Sequence, residues 1–204
     1  MKLAASLLLL LCTLLPAQTP TGAAVILFIG PPGSGKSTQA AAAAKTYNLP
    51  VVARHDLIAV DPDGFRANRA KAMAGMTEES DPFLNQLFAK KLASIDVTKG
   101  LILDGYPATK DHADFIAKLS KEGKLPYTFV IQLAIPDDLV MKRMKGSHEA
   151  KDGTLDQRLK DYHREMDMAK AYYPAADIVT IDATPKVQKV TAKVNAALKL
   201  RLKR

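Results

Sequence analysis

Residues 30–38 read Gly-Pro-Pro-Gly-Ser-Gly-Lys-Ser-Thr and follow the apolar run Val-Ile-Leu-Phe-Ile at 25–29. The spacing fits GxxxxGK[ST], and the chemistry it serves is the binding of a polyphosphate. A buried strand ends, a glycine-rich turn exposes backbone N–H groups, and a helix starts with its positive dipole end facing the turn. Gly30, Gly33, Ser34, Gly35, Lys36, Ser37 and Thr38 make up this candidate triphosphate site. In such a loop the lysine, here Lys36, reaches the terminal phosphates, and the Ser37 hydroxyl ligates Mg²⁺. The motif points to a nucleoside triphosphate or a similar ligand. It leaves open what receives the phosphate.

Phosphoryl transfer requires positioned charge more than covalent chemistry. Asp104 follows Leu101-Ile102-Leu103 and is a candidate to hold Mg²⁺ directly or through water. Arg143, Lys145, Lys151 and Arg158 cluster around one polar loop, 146–153. A mobile loop that carries cations over the phosphates also excludes water, the competing acceptor.

These groups need a frame. Short apolar runs at 25–29, 51–53, 101–103, 127–135 and 177–181 read as strands. Helices are expected at 36–47, 65–74, 82–94, 110–119, 137–145 and 154–172. A last helix, capped by Thr184-Pro185, runs to the basic C-terminus. Asp61-Pro62-Asp63-Gly64 reads as a turn, and Asp81 as the cap of the helix that Pro82 opens. The alternation implies α/β architecture, an open five-stranded parallel sheet flanked by helices in three layers. Ligands bind such sheets at the carboxyl ends of the strands. The phosphate loop and Asp104 both fall there.

The 204 residues suit one domain with a small insert. Hydrophobic residues make up 48%, enough for a sizeable core, and the net charge is +8. That charge alone would allow nucleic-acid binding. No reader motif accompanies it and aromatics are only 6%, so no nucleic-acid partner is expected. Lys2, an apolar stretch through Leu15 and then Pro16-Ala17 have the layout of a secretory signal peptide, within a leader spanning 1–23. Cleavage is expected after Ala17 or Ala23, with export to the periplasm or medium; without cleavage the chain would be cytoplasmic. No stable membrane insertion of the remaining domain is expected, because a membrane helix needs about 20 apolar residues. The single cysteine, Cys12, lies in the leader, so the domain at 24–204 has no disulfide and no thiol nucleophile.

Four segments, GPPGSGKSTQA, KGLILDGYP, IPDDLVMKRMKG and QRLKDYHREMDMAKAYYP, occur in this order. Together they resemble adenylate kinase and related nucleoside monophosphate kinases over about residues 24–200. The resemblance implies a P-loop kinase domain, a monomer, with a helical acceptor-binding insert at about 53–80 and a short lid at 146–153. It implies transfer from ATP, with Mg²⁺, to a nucleoside monophosphate. By motif, Lys36 matches the phosphate-loop lysine, Asp104 the metal-organising aspartate, and Arg143 and Arg158 two catalytic arginines. Lys145 and Lys151 stand near the places of lid arginines. Lysine keeps the charge but loses the two-pronged hydrogen bonding of arginine.

The acceptor side departs from the family. An arginine follows DGYP there, and Ala108 stands here; a base-reading glutamine is replaced by His112. The segment resembling STGDLLR reads ARHDLIA, so its closing arginine is Ala59, and Arg54 with Asp56 become the candidate acceptor contacts. Three functions stay open: a kinase with a divergent acceptor pocket, a nucleotide-binding protein without significant transfer, and a P-loop kinase of another small metabolite.

Overall fold

A computed structural model describes residues 22–75, 82–151 and 153–202. Most of the expected leader and the Asp81 cap lie outside the described residues. Five parallel strands form one sheet: β1 (Ala24–Ile29), β2 (Val51–Ala53), β3 (Gly100–Asp104), β4 (Tyr127–Ala134) and β5 (Ile178–Asp182). Their order across the sheet is β2-β3-β1-β4-β5. The strand leading to the phosphate loop is therefore central, where both faces are covered. This is why its sequence is apolar without alternation.

The two faces of β1 feed two cores. Ala24, Ile26 and Phe28 pack with Ala40, Ala43 and Tyr47 of α1 (Lys36–Tyr47). Val190, Val194, Leu198 and Leu202 of α9 (Val187–Leu202) complete that side. Val25, Leu27 and Ile29 face Leu57 of α2 (Arg54–Val60), Leu84, Leu87 and Phe88 of α4 (Pro82–Leu92) and Ile116 of α5 (Lys110–Lys121). Tyr162, Met166 and Ala169 of α8 (Leu155–Tyr172) close the second side. Helix–sheet–helix layering thus agrees with the sequence expectation, and so do all five strands to within one or two residues.

Three local readings are corrected. The segment 61–64 is a helix start, not a free turn: α3 (Pro62–Gly75) begins at Pro62, and Asp61 Oδ1 accepts the Gly64 N–H at 2.8 Å. Proline suits the first helical position because its missing N–H is not needed there. The preceding α2, short and without a periodic signal of its own, falls within the range 53–80 where a helical insert was expected; Asp56 supports its start by accepting the Ala53 N–H at 3.4 Å. The loop 146–153, after α6 (Asp137–Met144), contains one helical turn, α7 (His148–Lys151). Thr184 does not cap α9, which starts three residues later; its hydroxyl donates to Asp182 at 2.7 Å.

Candidate functional site

The carboxyl edge of the sheet gathers the chemistry. Beyond β1 the chain turns through Gly33 and Gly35 at φ +73° and +85°, values that favour glycine. A side chain at Gly33 would also meet Met144 Sδ at 3.2 Å and Arg143 Cβ at 3.3 Å, so α6 can approach only a glycine. Gly35 caps α1, whose first N–H groups have no acceptor inside the helix and point toward the turn. This is an anion cradle built from backbone.

Lys36 opens α1 and reaches across to β3, where its Nζ donates to Asp104 Oδ1 at 2.7 Å. Asp104 is 7% exposed, so its charge requires a partner. The register explains their meeting: Asp104 stands opposite Phe28 of β1 on one side and Ala53 of β2 on the other. Arg54 follows Ala53 directly. A side chain starting at Gly105 would lie 3.5 Å from Arg54 Cβ and 3.8 Å from Lys36 Nζ. Lys36, Asp104 and Arg54 therefore share one site, and Arg54 Nε is buried there without a hydrogen-bond partner.

A cleft of about 290 Å³ continues from the loop between Gly33, Ser34, Gly35, Gln39 and Arg143 on one side and Ala183, Pro185, Lys186, Val187 and Val190 on the other. Ser34 Oγ and Gln39 Oε1, both of lining residues, are buried without partners. Unsatisfied polar atoms are costly in a folded protein, and here they meet a ligand-sized space. Arg143 spans the cleft floor. Its guanidinium donates to Gly33 O at 3.0 Å, Ala183 O at 3.1 Å and Thr184 O at 2.8 Å. A larger cavity, about 400 Å³, lies between Asn48, Pro50, Ile95 and Lys99 at the opposite end of the strands, away from these groups.

The other expected residues are spread more widely. Ser37 and Thr38 sit in the first turn of α1. Lys145, Lys151 and Arg158 are exposed around α7 and the start of α8. Asp56 is exposed beside His55, whose Nε2 lies 3.2 Å from Asp56 Oδ1. His112 is fully buried: its ring packs on Tyr106 with centroids 4.7 Å apart, and its Nδ1 accepts the Ala108 N–H at 3.2 Å. For Mg²⁺, the Ser37 hydroxyl and the Asp104 carboxylate are hard oxygen donors of the right class, on the residue after Lys36 and on its ion-pair partner. Among the described residues no cluster of three or more His, Cys, Asp or Glu side chains could enclose a metal. A metal that relies mainly on phosphate oxygens and water fits this sparse set.

Glu165, on α8, was not foreseen. It is half-buried and lies in the electrostatic field of Lys36, Arg54, Asp161 and Asp104. Burial pushes its carboxyl up to about 7, against the pull of Lys36 and Arg54. A signal did exist in the sequence: Glu165 falls three residues after Tyr162 and four before Ala169, on the stripe of α8 that turns inward.

Family comparison matches residues 28–178 to adenylate kinase. The chain belongs to the adenylate kinase family. Relatives include the adenylate kinase of Xylella fastidiosa strain M12, 31% identical over 85% of this chain and 98% of that protein. The Mesorhizobium japonicum adenylate kinase is 29% identical over 85% of this chain and 96% of its own length. That of Micrococcus luteus is 28% identical, with 85% and 89% covered. Adenylate kinase family membership places this chain among proteins of nucleotide phosphoryl transfer, which use ATP and Mg²⁺. No described helix is long and apolar enough to cross a membrane.

Proposed function

We propose that this chain transfers the terminal phosphoryl group of ATP to a nucleoside monophosphate, as in ATP + AMP giving two ADP, or to a related acceptor. The observation that carries the reading is the convergence of Lys36, Asp104 and Arg54 at the mouth of the phosphate cradle. The N–H groups of the loop and Lys36 bind the triphosphate of ATP from the β1 side. Ser37 and Asp104 would hold Mg²⁺, which would supply neutralisation of charge on the phosphate oxygens. Arg54 and Asp56 receive the acceptor from the β2 side, whereas His112, expected there, is fully buried against Tyr106 and does not reach it. An acceptor oxygen then forms a bond to the terminal phosphorus as the bond to the ADP oxygen breaks.

In this reading the segment 53–80 is the acceptor-binding insert, and 146–153, including α7, is the lid. Lys145, Lys151 and Arg158 belong to the lid and its base, and swing over the phosphates on closure. Arg143 lines the cleft that receives the nucleoside half of ATP.

The test is a coupled assay of ADP formation across the nucleoside monophosphates, with Lys36→Ala as control. Turnover well above the control with at least one acceptor is expected. Output equal to the control with every acceptor would remove the reading. A second reading, nucleotide binding without transfer, draws support from Ala59 and Ala108 and from the commitment of Arg143 to three carbonyls. It predicts calorimetric binding of Mg²⁺-ATP with no ADP produced.

A further inference from the structure

Helix α5 opens with a bracket that uses an imidazole where a helix start ordinarily uses a carboxylate or amide. Thr109 caps the helix, and its Oγ1 accepts the His112 N–H at 3.3 Å. Three residues after such a cap, a Glu or Gln commonly reaches back to the capping residue's own N–H. His112 stands at that position, and its Nδ1 reaches one residue further back, accepting the Ala108 N–H at 3.2 Å. An Nδ1 that accepts leaves the ring's proton on Nε2, so the imidazole is neutral. The ring is fully buried and lies against Tyr106, with centroids 4.7 Å apart. Tyr106 is tied in turn to α4: its ring lies 4.7 Å from that of Phe88, and its hydroxyl donates to Asn85 Oδ1.

The segment held in this way walls the proposed acceptor side. It starts at Asp104, the partner of Lys36. At Gly105 it runs so close to α2 that a side chain there would meet Arg54 Cβ at 3.5 Å. Pairing with β1 and β2 ends at Asp104, and the far end of the segment is fastened to α5 through His112. A carboxylate at 112 would take the same N–H but would set a negative charge behind a site for an anion. The neutral ring accepts without that charge. Ala108 is partly buried, so an N–H released by the ring reaches water only by moving outward, and the segment then leaves Arg54.

We propose that His112 is a positioning residue for acceptor recognition: by accepting the Ala108 N–H it sets the path of segment 105–108 against Arg54, and with it the shape of the acceptor pocket. This rests on the reading that the chain phosphorylates a nucleoside monophosphate. His112 itself touches no substrate.

The experiment uses the full chain with His112→Phe, His112→Asn and Thr109→Val, assayed with ATP against AMP, CMP, GMP and UMP. His112→Phe keeps a ring beside Tyr106 but loses the accepting nitrogen. It raises the KM of the working acceptor about tenfold and leaves the KM of ATP within about twofold, because the phosphate cradle belongs to β1 and α1. His112→Asn, whose Oδ1 can stand where Nδ1 stood, recovers most of that loss. Thr109→Val loosens the bracket from its other side and raises the acceptor KM in the same direction. Hydrogen exchange at the Ala108 amide quickens in His112→Phe and stays slow in His112→Asn. An unchanged acceptor KM in His112→Phe, an equal rise in both KM values, no recovery in His112→Asn, or an Ala108 amide as slow in His112→Phe as in the wild type would overturn the proposal. Should His112→Phe fail to fold, seen as loss of Mg²⁺-ATP binding, Thr109→Val decides: a raised acceptor KM sustains the proposal and an unchanged one overturns it. If the wild type phosphorylates no monophosphate, the functional reading fails separately, and calorimetric titration with AMP decides the role of His112. About tenfold weaker AMP binding in His112→Phe, restored in His112→Asn, sustains it. Equal affinities, or no AMP binding by the wild type, overturn it.

Discussion

Lys36 Nζ stands 2.7 Å from Asp104 Oδ1, so the lysine of the phosphate loop and the aspartate at the end of β3 neutralise each other across the mouth of the cleft. The pair ties α1 to β3 without ligand. On the proposed function, an arriving triphosphate would compete with Asp104 for Lys36.

Removing one member of the pair should cost more than removing both. Lys36→Met leaves a carboxylate that is 7% exposed without its cation. A loss of about 1–3 kcal/mol is expected. The higher cost of breaking a fully buried pair is not reached, because Lys36 is 22% exposed. The Lys36→Met/Asp104→Asn variant recovers most of the loss in urea unfolding. Equal losses in the single and double variants would contradict this account.

Arg143→Ala frees the carbonyls of Gly33, Ala183 and Thr184 together. The loop and the segment after β5 then lose their common strap. The KM of ATP should rise about tenfold or more, with little change in that of the acceptor. Arg143→Lys should not restore it, since an ammonium cannot reproduce a planar fork across three oxygens. Full rescue by lysine would show that charge alone matters there.

Tyr106 is fully buried, and its hydroxyl donates to Asn85 Oδ1 at 2.5 Å. Tyr106→Phe leaves that oxygen without its donor, at a cost of about 1–3 kcal/mol. The thermal midpoint falls accordingly. An unchanged midpoint would mean that Asn85 finds another donor.

The pH dependence of stability carries the signature of Glu165. Its folded pKa, about 7, is raised above the ordinary value of 4.5 by burial. Between those values the folded state binds more protons than the unfolded one, so this group makes stability fall as pH rises. Its contribution is complete below about 4.5 and is lost by the time pH passes 7. Lys36 and Arg54 oppose the shift, whereas Asp161 and Asp104 add to it. The midpoint of Glu165→Gln relative to wild type should therefore climb across that window. A difference that stays flat with pH would refute the shift.

Much of this molecule was legible from local pattern. The run 25–29, the glycines after it and Lys36 were legible as strand, glycine turn and helix start, because the complete motif places those residue types at that spacing. Asp104 was legible for the same reason, as a charge ending a buried run. The helix α2 was not, because seven residues between β2 and Asp61 give too few turns for a periodic signal. Asp61-Pro62-Asp63-Gly64 was misread because the residues that make turns also start helices. Arg143 looked like a free catalytic cation, and only its distances to three carbonyls reveal its other task. Glu165 was legible only as a place on the inward stripe of α8; the burial that raises its carboxyl is a tertiary fact.

The ligand cleft is walled on one side by residues 183–190, and α9 is fastened to α1 where Tyr47 donates to Asn195 O at 3.1 Å. Helices α1 and α9 thus depend on each other. A growing chain that ends at residue 182 owns the cradle but has only half a room around it. Affinity for ATP should consequently appear only once residues 183–202 have left the ribosome. Arrested chains of stepped length, probed for nucleotide retention, would display that threshold; retention before residue 183 would show the cradle to be sufficient unaided.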